Sequence, residues 1–365
     1  MPIRESSFRI GAGRYVQEEG LLARAGQELS RFGRHPLLIG DDTSLSITRP
    51  ILEKSLQTAG LQYRFVTHNG TCNDNAAKRI AEKKEAAGHD MIVGVGGGVI
   101  MDFAKVCAHF AQCPVINIPT SSATCAAFTP LSVRYTEEGK TVGTMHFERE
   151  VDGVLADTAI LSKQPPRLLL AGVFDALAKF IEIKQRFSPT APEETYPMGL
   201  DYAYVLAKHS YQSLQKNIAA VMEESPCDHP SEGMERVFFT TIAVTGVISG
   251  VARGSNQCAL AHKFYETTRL LYPESARPYL HGEIVGVGLL LQNHFNGEAE
   301  NNKILTDLMK KYGLASSILP LGIPPTEDSL REYEAHLQAS SAIDETNEAE
   351  CRRLQESLRY LWSLR

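Results

Sequence analysis

A short glycine-rich segment is the part of the sequence best suited to bind a phosphate group. The apolar run at residues 91–95 is followed by three glycines, Gly96, Gly97 and Gly98, and then by a helical pattern that carries Asp102. This order predicts a strand, a tight turn and a helix N-terminus. Successive glycines let the backbone approach an anion, and the first N–H groups of the helix would supply donors. We therefore predict a pyrophosphate site, with a turn that only packs tightly as the alternative.

One carboxylate and two imidazoles in the second half of the chain could hold a metal ion. Asp175 lies in an otherwise apolar helical run, where an unpaired charge would be costly. His262 and His281 have apolar or small neighbours. Such oxygen and nitrogen ligands bind divalent metals and leave positions open. The long spacing also allows a simpler interpretation, in which Lys179, one turn away, neutralises Asp175 and each histidine is an ordinary core or surface residue.

Short apolar runs alternate with helical patterns over the first 157 residues. Strands are predicted at residues 35–40, 63–67, 91–95 and 115–119, with helices at 51–59 and 75–87 between them. A hairpin is predicted from residue 131, and residues 151–155 return after it. The alternation is typical of βαβ units around a parallel sheet.

Helical patterns dominate the remainder of the chain. They are predicted at residues 168–185, 200–222, 234–249, 284–295 and 304–312. The expected fold class is therefore α/β followed by all-α. A Rossmann-like, dinucleotide-binding domain would occupy residues 1–157 and a helical domain residues 158–365.

Composition argues against several classes of partner. The 365 residues include 37 Lys and Arg against 43 Asp and Glu, with a formal net charge of −6, so neither nucleic acid nor an anionic membrane is an expected partner. The first residues lack the apolar core of a signal peptide, and the seven cysteines form no C-x-x-C pair. We expect a cytoplasmic protein with a small-molecule substrate.

Several motifs, in the same order, resemble the iron-containing alcohol dehydrogenase superfamily in its glycerol-dehydrogenase-like branch. They are Gly96-Gly97-Gly98-x-x-x-Asp102, residues 118–124, residues 131–136, Asp157 with Thr158, Gly172-x-x-Asp175, and His281-Gly282-Glu283. The resemblance runs from about residue 8 to about residue 300 and is nearest to the hydroxycarboxylate dehydrogenase A type. It implies a dehydroquinate-synthase-like architecture and a homo-oligomer. In that architecture residues 158–365 would form the metal and substrate domain, with the active site in the cleft between the two domains.

The resemblance implies roles for individual residues. Asp175, His262 and His281 match the family's catalytic metal ligands, and the metal would be zinc or iron. The three glycines would bind the pyrophosphate of NAD or NADP. Further positions near the cofactor are Asp41, Asp102, Thr120, Thr129, Leu131 and Tyr135. A carboxylate at Asp41 should repel a 2′-phosphate, which favours NAD, although the hydroxycarboxylate branch is associated with NADP.

Three departures from the family pattern bear on chemistry. Cys125 stands where glycerol dehydrogenases carry an aspartate, which makes an anionic substrate more plausible. The family's second histidine after His262 is absent, so a proton would have to move through Tyr265, Lys263, a ribose hydroxyl or water. Val99 stands where many members have lysine, so one potential cofactor contact is lost.

These observations lead to a functional hypothesis. We expect an oxidoreductase that moves a hydride between a nicotinamide cofactor and a small 2-oxo acid or 2-hydroxy acid, with a metal polarising the substrate oxygen. Arg134, Lys263 or Arg253 could pair with a substrate carboxylate, or could be solvated bases. The alternatives are a glycerol or other polyol dehydrogenase, a dehydroquinate-synthase-like lyase, and a nucleotide-binding protein without turnover.

Overall fold

A parallel sheet of six strands forms the centre of the first half of the chain. The computed structural model describes residues 10–187, 196–252 and 258–364. The six strands are β1 (Tyr15–Glu18), β2 (Pro36–Gly40), β3 (Arg64–Thr67), β4 (Met91–Gly96), β5 (Val115–Pro119) and β8 (Gly153–Asp157), in the spatial order β1-β8-β5-β4-β2-β3. Strands β2, β4, β5 and β8 are buried along their whole length, which is why they read as continuous apolar runs.

Helices and one hairpin accompany this sheet. The helices are a 3₁₀ turn (Leu21–Arg24), α1 (Ala25–Leu29), α2 (Asp42–Thr58), α3 (Asp74–Ala86), α4 (Gly98–Ala111) and α5 (Thr158–Leu161). The hairpin consists of β6 (Leu131–Tyr135) and β7 (Thr141–His146), paired antiparallel. A Cβ atom at Gly94 would lie 2.7 Å from the Cβ of Ala104, so helix α4 packs directly on strand β4. That close packing holds α4 against the sheet.

Helices make up the second half of the chain. They are α6 (Pro166–Arg186), α7 (Met198–Glu224), α8 (Glu232–Phe239), a π-helical segment (Thr240–Val244), α9 (Thr245–Val251), α10 (Leu260–Leu271), α11 (Pro273–Ala276), α12 (His281–Phe295), a 3₁₀ turn (Ala299–Asn301), α13 (Asn302–Lys311), α14 (Glu327–Gln338) and α15 (Glu348–Ser363). The predicted order, an α/β part followed by a helical part, is confirmed.

The described residues divide into two compact units. One unit contains the residues up to Pro165 together with Asn217–Val247, and the other contains Pro166–Lys216 and the residues from Ile248 onward. The first unit thus takes in a helical stretch from the second half of the chain. The division at residue 157, the cleft and the homo-oligomer stay predictions.

One helical run, Glu232–Val251, is long and apolar enough to cross a membrane by length and composition alone. More than half of its apolar window is buried inside the protein, as in the core helix of many soluble proteins. The run is therefore weak evidence for a membrane-spanning segment. The expected absence of a membrane partner stays a prediction.

Candidate metal and nucleotide sites

Three helices of the second unit bring together the carboxylate and the two imidazoles. Asp175 lies in the middle of α6, His262 in the first turn of α10, and His281 is the first residue of α12. We call these three residues the donor cluster, because one ligand atom of each lies within 4.8 Å of the others. The Oδ1 atom of Asp175 is 3.2 Å from Nε2 of His262 and 3.6 Å from Nε2 of His281.

Two glycines of α12 allow this convergence. A Cβ atom at Gly282 would lie 1.8 Å from the backbone oxygen of Ala171 on α6. A Cβ atom at Gly288 would lie 2.6 Å from the backbone oxygen of Ala261 on α10. Helix α12 therefore packs backbone to backbone against the two helices that carry the other donors, and only glycine leaves the room for it.

An ion pair holds the start of α12. The carboxylate of Glu283 accepts two hydrogen bonds from Arg167, at 2.7 Å and 2.6 Å, and a third from the backbone N–H of Leu280 at 2.8 Å. Arg167 also donates to the backbone oxygen of Pro278. A bidentate ion pair of this kind fixes both the distance between the two side chains and their relative orientation. The His281-Gly282-Glu283 motif thus combines a donor, a close-packing position and a helix anchor.

Glu182, for which the sequence pattern indicated no role, orients His262. It lies two helical turns after Asp175, on the same face of α6. Its Oε2 atom is 2.5 Å from Nδ1 of His262, and its Oε1 atom accepts the backbone N–H groups of Ala259 and His262. Nε2 is therefore the ring nitrogen of His262 that faces Asp175. Buried carboxylates that hold a ligand histidine in this way are common beside protein-bound metals.

Charges within the cluster set its protonation. Burial would raise the pKa of the Asp175 carboxyl, but the charge of Lys179 and hydrogen bonds from the two histidines hold that pKa well below its ordinary value. Burial would lower the pKa of His262, but the charge of Glu182 raises that pKa well above its ordinary value. The pKa of His281 is lowered, chiefly by burial. One oxygen and two nitrogen donors this close together fit a divalent metal ion.

Two other side chains border the donor cluster. The Nζ atom of Lys179 lies 3.5 Å from Oδ1 of Asp175, as the simpler interpretation of the sequence expected. The ring of Tyr265, one turn after His262, packs edge-on against His281 with 4.3 Å between ring centroids. The pKa of the Tyr265 hydroxyl is raised, mainly by burial, so the phenol stays protonated at neutral pH.

The three glycines lie between β4 and α4 in the first unit. Gly96 ends the strand, Gly97 is the N-cap residue of α4 without a side-chain cap, and Gly98 begins the helix. A Cβ atom at Gly96 would lie 2.8 Å from Ile100, whereas one at Gly97 would come no closer than 3.7 Å to its nearest neighbour, Ser121. Gly96 is thus needed for packing, and Gly97 leaves the end of the helix open. An uncapped helix N-terminus with open backbone fits a phosphate group.

Lys105, on the same helix, fastens the loop that follows β5. Its Nζ atom donates to the backbone oxygens of Ala126, Thr129 and Leu131 and lies 2.9 Å from Oδ1 of Asp102. This loop carries Cys125, whose backbone oxygen accepts the N–H groups of Phe128 and Thr129. A Cβ atom at Gly98 would lie 3.2 Å from Oγ1 of Thr124. The predicted substrate residue Cys125 therefore lies in a loop that meets the glycine turn.

Asp102 has a structural environment that the sequence did not reveal. It is buried, and its Oδ2 atom accepts the backbone N–H of Val133, while its backbone oxygen accepts the hydroxyl of Ser132. These bonds join α4 to the hairpin that begins at Leu131 and ends at Tyr135. Burial raises the pKa of the Asp102 carboxyl, against the opposing charge of Lys105. A direct contact of Asp102 with a cofactor stays a prediction.

Asp41 and Thr120 follow the carboxyl ends of β2 and β5, the two strands on either side of β4, and are linked through Ser44. The two carboxylate oxygens of Asp41 accept the N–H and the hydroxyl of Ser44, at 2.9 Å and 2.7 Å, which caps helix α2. The hydroxyl of Ser44 is 3.3 Å from that of Thr120. The backbone N–H of Thr120 donates to the oxygen of Gly96, so these residues adjoin the glycine turn.

The candidate bases for a substrate carboxylate have partners of their own. Arg134 pairs with Asp74 at 2.8 Å, and Lys263 pairs with Glu266 at 2.6 Å. Arg253 lies outside the described residues. Neither described base is thus supported as a substrate contact.

Comparisons with known proteins identify the family of this chain. Residues 12–161 match the iron-containing alcohol dehydrogenase family. The chain is 30% identical to a glycerol dehydrogenase of Pseudomonas putida over 338 residues, which cover 92% of this chain and 90% of that protein. It is 29% identical to hydroxycarboxylate dehydrogenase A of Escherichia coli over 270 residues, or 71% and 70% of the two chains.

A solved structure has the same fold. Glycerol dehydrogenase from Schizosaccharomyces pombe superposes with a TM-score of 0.84 at 20% identity, over 99% of this chain and 91% of that one. Enzymes of the matched family use NAD or NADP and a metal ion. The chain, as its motifs predicted, belongs to the iron-containing alcohol dehydrogenase family and is an oxidoreductase that acts on CH–OH groups.

Proposed function

We propose that the protein is an NAD-dependent dehydrogenase of small polyols such as glycerol, which transfers a hydride from the alcohol carbon to the nicotinamide ring. The convergence of Asp175, His262 and His281 supports this proposal most directly. Relatives named as glycerol dehydrogenases match more than nine tenths of the chain, which favours a polyol over the 2-oxo acid first expected from the sequence.

The donor cluster would hold a divalent ion, zinc or iron. Such an ion, when bound, acts as a Lewis acid that polarises the substrate oxygen. Glu182 fixes the ring of His262, and the pair of Arg167 with Glu283 fixes the helix that begins at His281. Residues that orient ligands in this way keep the reacting groups in one geometry, which contributes to rate as well as to affinity.

Tyr265 is our candidate for the group that exchanges the proton of the substrate hydroxyl. Its ring packs on His281, and its phenol is neutral at physiological pH. A neutral phenol can donate a proton to the substrate oxygen in the reductive direction. In the oxidative direction it can take up the substrate proton only by passing its own proton on to a ribose hydroxyl or water.

The glycine turn would bind the pyrophosphate of the cofactor. Asp41 and Thr120 would lie near the ribose, and Thr129, Leu131 and Tyr135 would line the nicotinamide side. The carboxylate of Asp41 supports NAD over NADP because it would repel a 2′-phosphate. Its two bonds to Ser44 leave lone pairs that can accept ribose hydroxyls.

A small 2-oxo acid is the second candidate substrate, and Cys125 is the observation that favours it. A neutral side chain at this position neither accepts a polyol hydroxyl as well as a carboxylate does nor repels an anionic substrate. A hydroxycarboxylate dehydrogenase is among the relatives that match most of the chain.

The test is a spectrophotometric panel with the purified, metal-loaded protein. Glycerol and related diols are offered with NAD, and small 2-oxo acids with NADH, to the wild type and to Cys125→Asp and Cys125→Asn. We expect turnover of the diols, and we expect Cys125→Asp to raise kcat/KM for glycerol and to lower it for any 2-oxo acid. Cys125→Asn has a similar size without the charge and should not repel the acid.

Two outcomes would contradict the proposal. Turnover of 2-oxo acids alone would replace the polyol with the second candidate. Bound cofactor without turnover of any panel member, with no further loss in His262→Ala, would indicate a nucleotide-binding protein without this activity.

A further inference from the structure

We propose that Lys179 is a built-in cation of the donor cluster, whose ammonium group competes with a divalent ion for Asp175 and His262. Lys179 then sets how tightly the protein holds its metal and keeps the cluster intact when the metal leaves. The inference deepens the proposed function and rests on the metal site proposed there.

The position of the ammonium group is the observation that carries this inference. Its Nζ atom lies 3.5 Å from Oδ1 of Asp175 and 3.5 Å from Nε2 of His262. Oδ1 of Asp175 and Nε2 of His262 face each other and are 3.2 Å apart. The Lys179 side chain is only 5% exposed. A buried lysine thus contacts two of the three donors through the atoms that would bind the metal.

His262 cannot avoid this competition by turning its ring. Its Nδ1 atom is engaged by Glu182 at 2.5 Å, so Nε2 is the nitrogen available to a metal. Glu182 also accepts two backbone N–H groups of the same helix start, which fixes its carboxylate. Nε2 faces both Asp175 and the ammonium group, so a metal ion bound by Nε2 would have to take the space beside Lys179.

Electrostatics gives the direction of the effect. An ammonium group and a divalent ion that share one carboxylate oxygen repel each other strongly at this burial, because few water molecules screen them. A metal ion must therefore either displace the Lys179 side chain or bind beside its charge. In both cases the affinity of the protein for the metal is lower. Without a metal, the same ammonium group neutralises Asp175, and a buried carboxylate without a counter-charge is strongly destabilising.

Zinc titration of the full-length protein tests the inference. Wild type, Lys179→Met and Lys184→Met are stripped of metal with a chelator and dialysed, and each is titrated with Zn²⁺ alone against a chromophoric competitor. Methionine keeps the length and apolar stem of lysine without its charge. Lys184 is the matched control, because it lies on the same helix and pairs with Glu298 rather than with the cluster.

We expect Lys179→Met to bind Zn²⁺ at least about tenfold more tightly than the wild type, and Lys184→Met to bind it as the wild type does. The midpoint of thermal unfolding of stripped Lys179→Met should be lower than that of stripped wild type, and Zn²⁺ should raise it by more. Should stripped Lys179→Met be unfolded, recovery of the folded state on refolding with Zn²⁺ would support the same conclusion.

Equal or weaker zinc binding by Lys179→Met would overturn the inference and leave the metal site standing, since the amine would then assist the metal or be indifferent to it. A Lys179→Met chain that stays unfolded in saturating Zn²⁺ would also overturn it, because the metal would not replace the lysine. No zinc binding by any of the three proteins would overturn both the inference and the proposed metal site.

Discussion

The two candidate sites are assembled in opposite ways. The glycine turn consists of consecutive residues at the end of one strand, and local chain geometry shapes it. The donor cluster joins residues as far apart in the chain as positions 175 and 281, and three packed helices shape it. A substitution at Gly97, the open position of the turn, should therefore act on ligand binding with little effect on folding, whereas a substitution in the helix contacts that support the cluster should act on both. Each prediction below tests this contrast.

Gly282→Ala should have the largest effect. The added Cβ atom would lie 1.8 Å from the backbone oxygen of Ala171, so α12 must move away from α6. We expect a loss of on the order of 3 kcal/mol or more in the free energy of unfolding, measured by denaturant titration, together with loss of bound metal. A stable variant with normal metal content would show that the cluster does not depend on this helix contact.

Glu182→Gln should weaken metal binding without preventing folding. The side chain keeps its size, but its amide cannot hold Nδ1 of His262 as the carboxylate does. We expect roughly 10- to 100-fold weaker metal affinity, measured by competition with a chelator. Glu298→Gln is the control, since Glu298 pairs with Lys184, and equal affinities in the two variants would contradict a role for Glu182 in orienting His262.

Gly97→Ala is the counterpart of the first substitution. A Cβ atom here would come no closer than 3.7 Å to Ser121, so the free energy of unfolding should change by no more than about 1 kcal/mol. The methyl group would nevertheless cover backbone at the open end of α4. We expect cofactor affinity to fall by about tenfold, measured by NADH fluorescence. Unchanged affinity would place the pyrophosphate elsewhere.

Asp41→Asn should have the smallest effect and acts on cofactor choice alone. Asparagine caps a helix about as well as aspartate, so α2 should keep its stability. Loss of the charge should raise kcat/KM with NADP relative to NAD by several-fold to about tenfold. Asp42→Asn, a neighbouring exposed carboxylate, is the control. An unchanged cofactor ratio would remove the ground for preferring NAD.

The contrast between local and long-range assembly also explains which features could be predicted from the sequence. Strands β2, β4 and β5 were predicted within a residue or two, because burial on both faces leaves an apolar run that periodicity detects. Strand β1 is short and only half buried, and it was missed. The helical pattern at residues 234–249 gave no sign of the π-helical segment Thr240–Val244, since side-chain periodicity does not report which backbone hydrogen bonds form.

Partners within the donor cluster were harder to predict than its members. Asp175 stood out as a charge in an apolar run, and family resemblance selected the histidines. Glu182 and Arg167 contact residues 80 and 116 positions away, and no local pattern links such pairs. Gly282 was visible only as part of a motif, and its steric reason appears when α12 is seen against α6.

The contacts of Lys105 bear on which substitutions this protein can accept during evolution. Its ammonium group donates hydrogen bonds to three backbone oxygens in and at the end of the loop around Cys125. These bonds involve no side chain of that loop. These three bonds therefore do not depend on which amino acid stands at position 125. If Cys125 contacts the substrate as proposed, a substitution at this position can alter substrate preference while these backbone bonds persist.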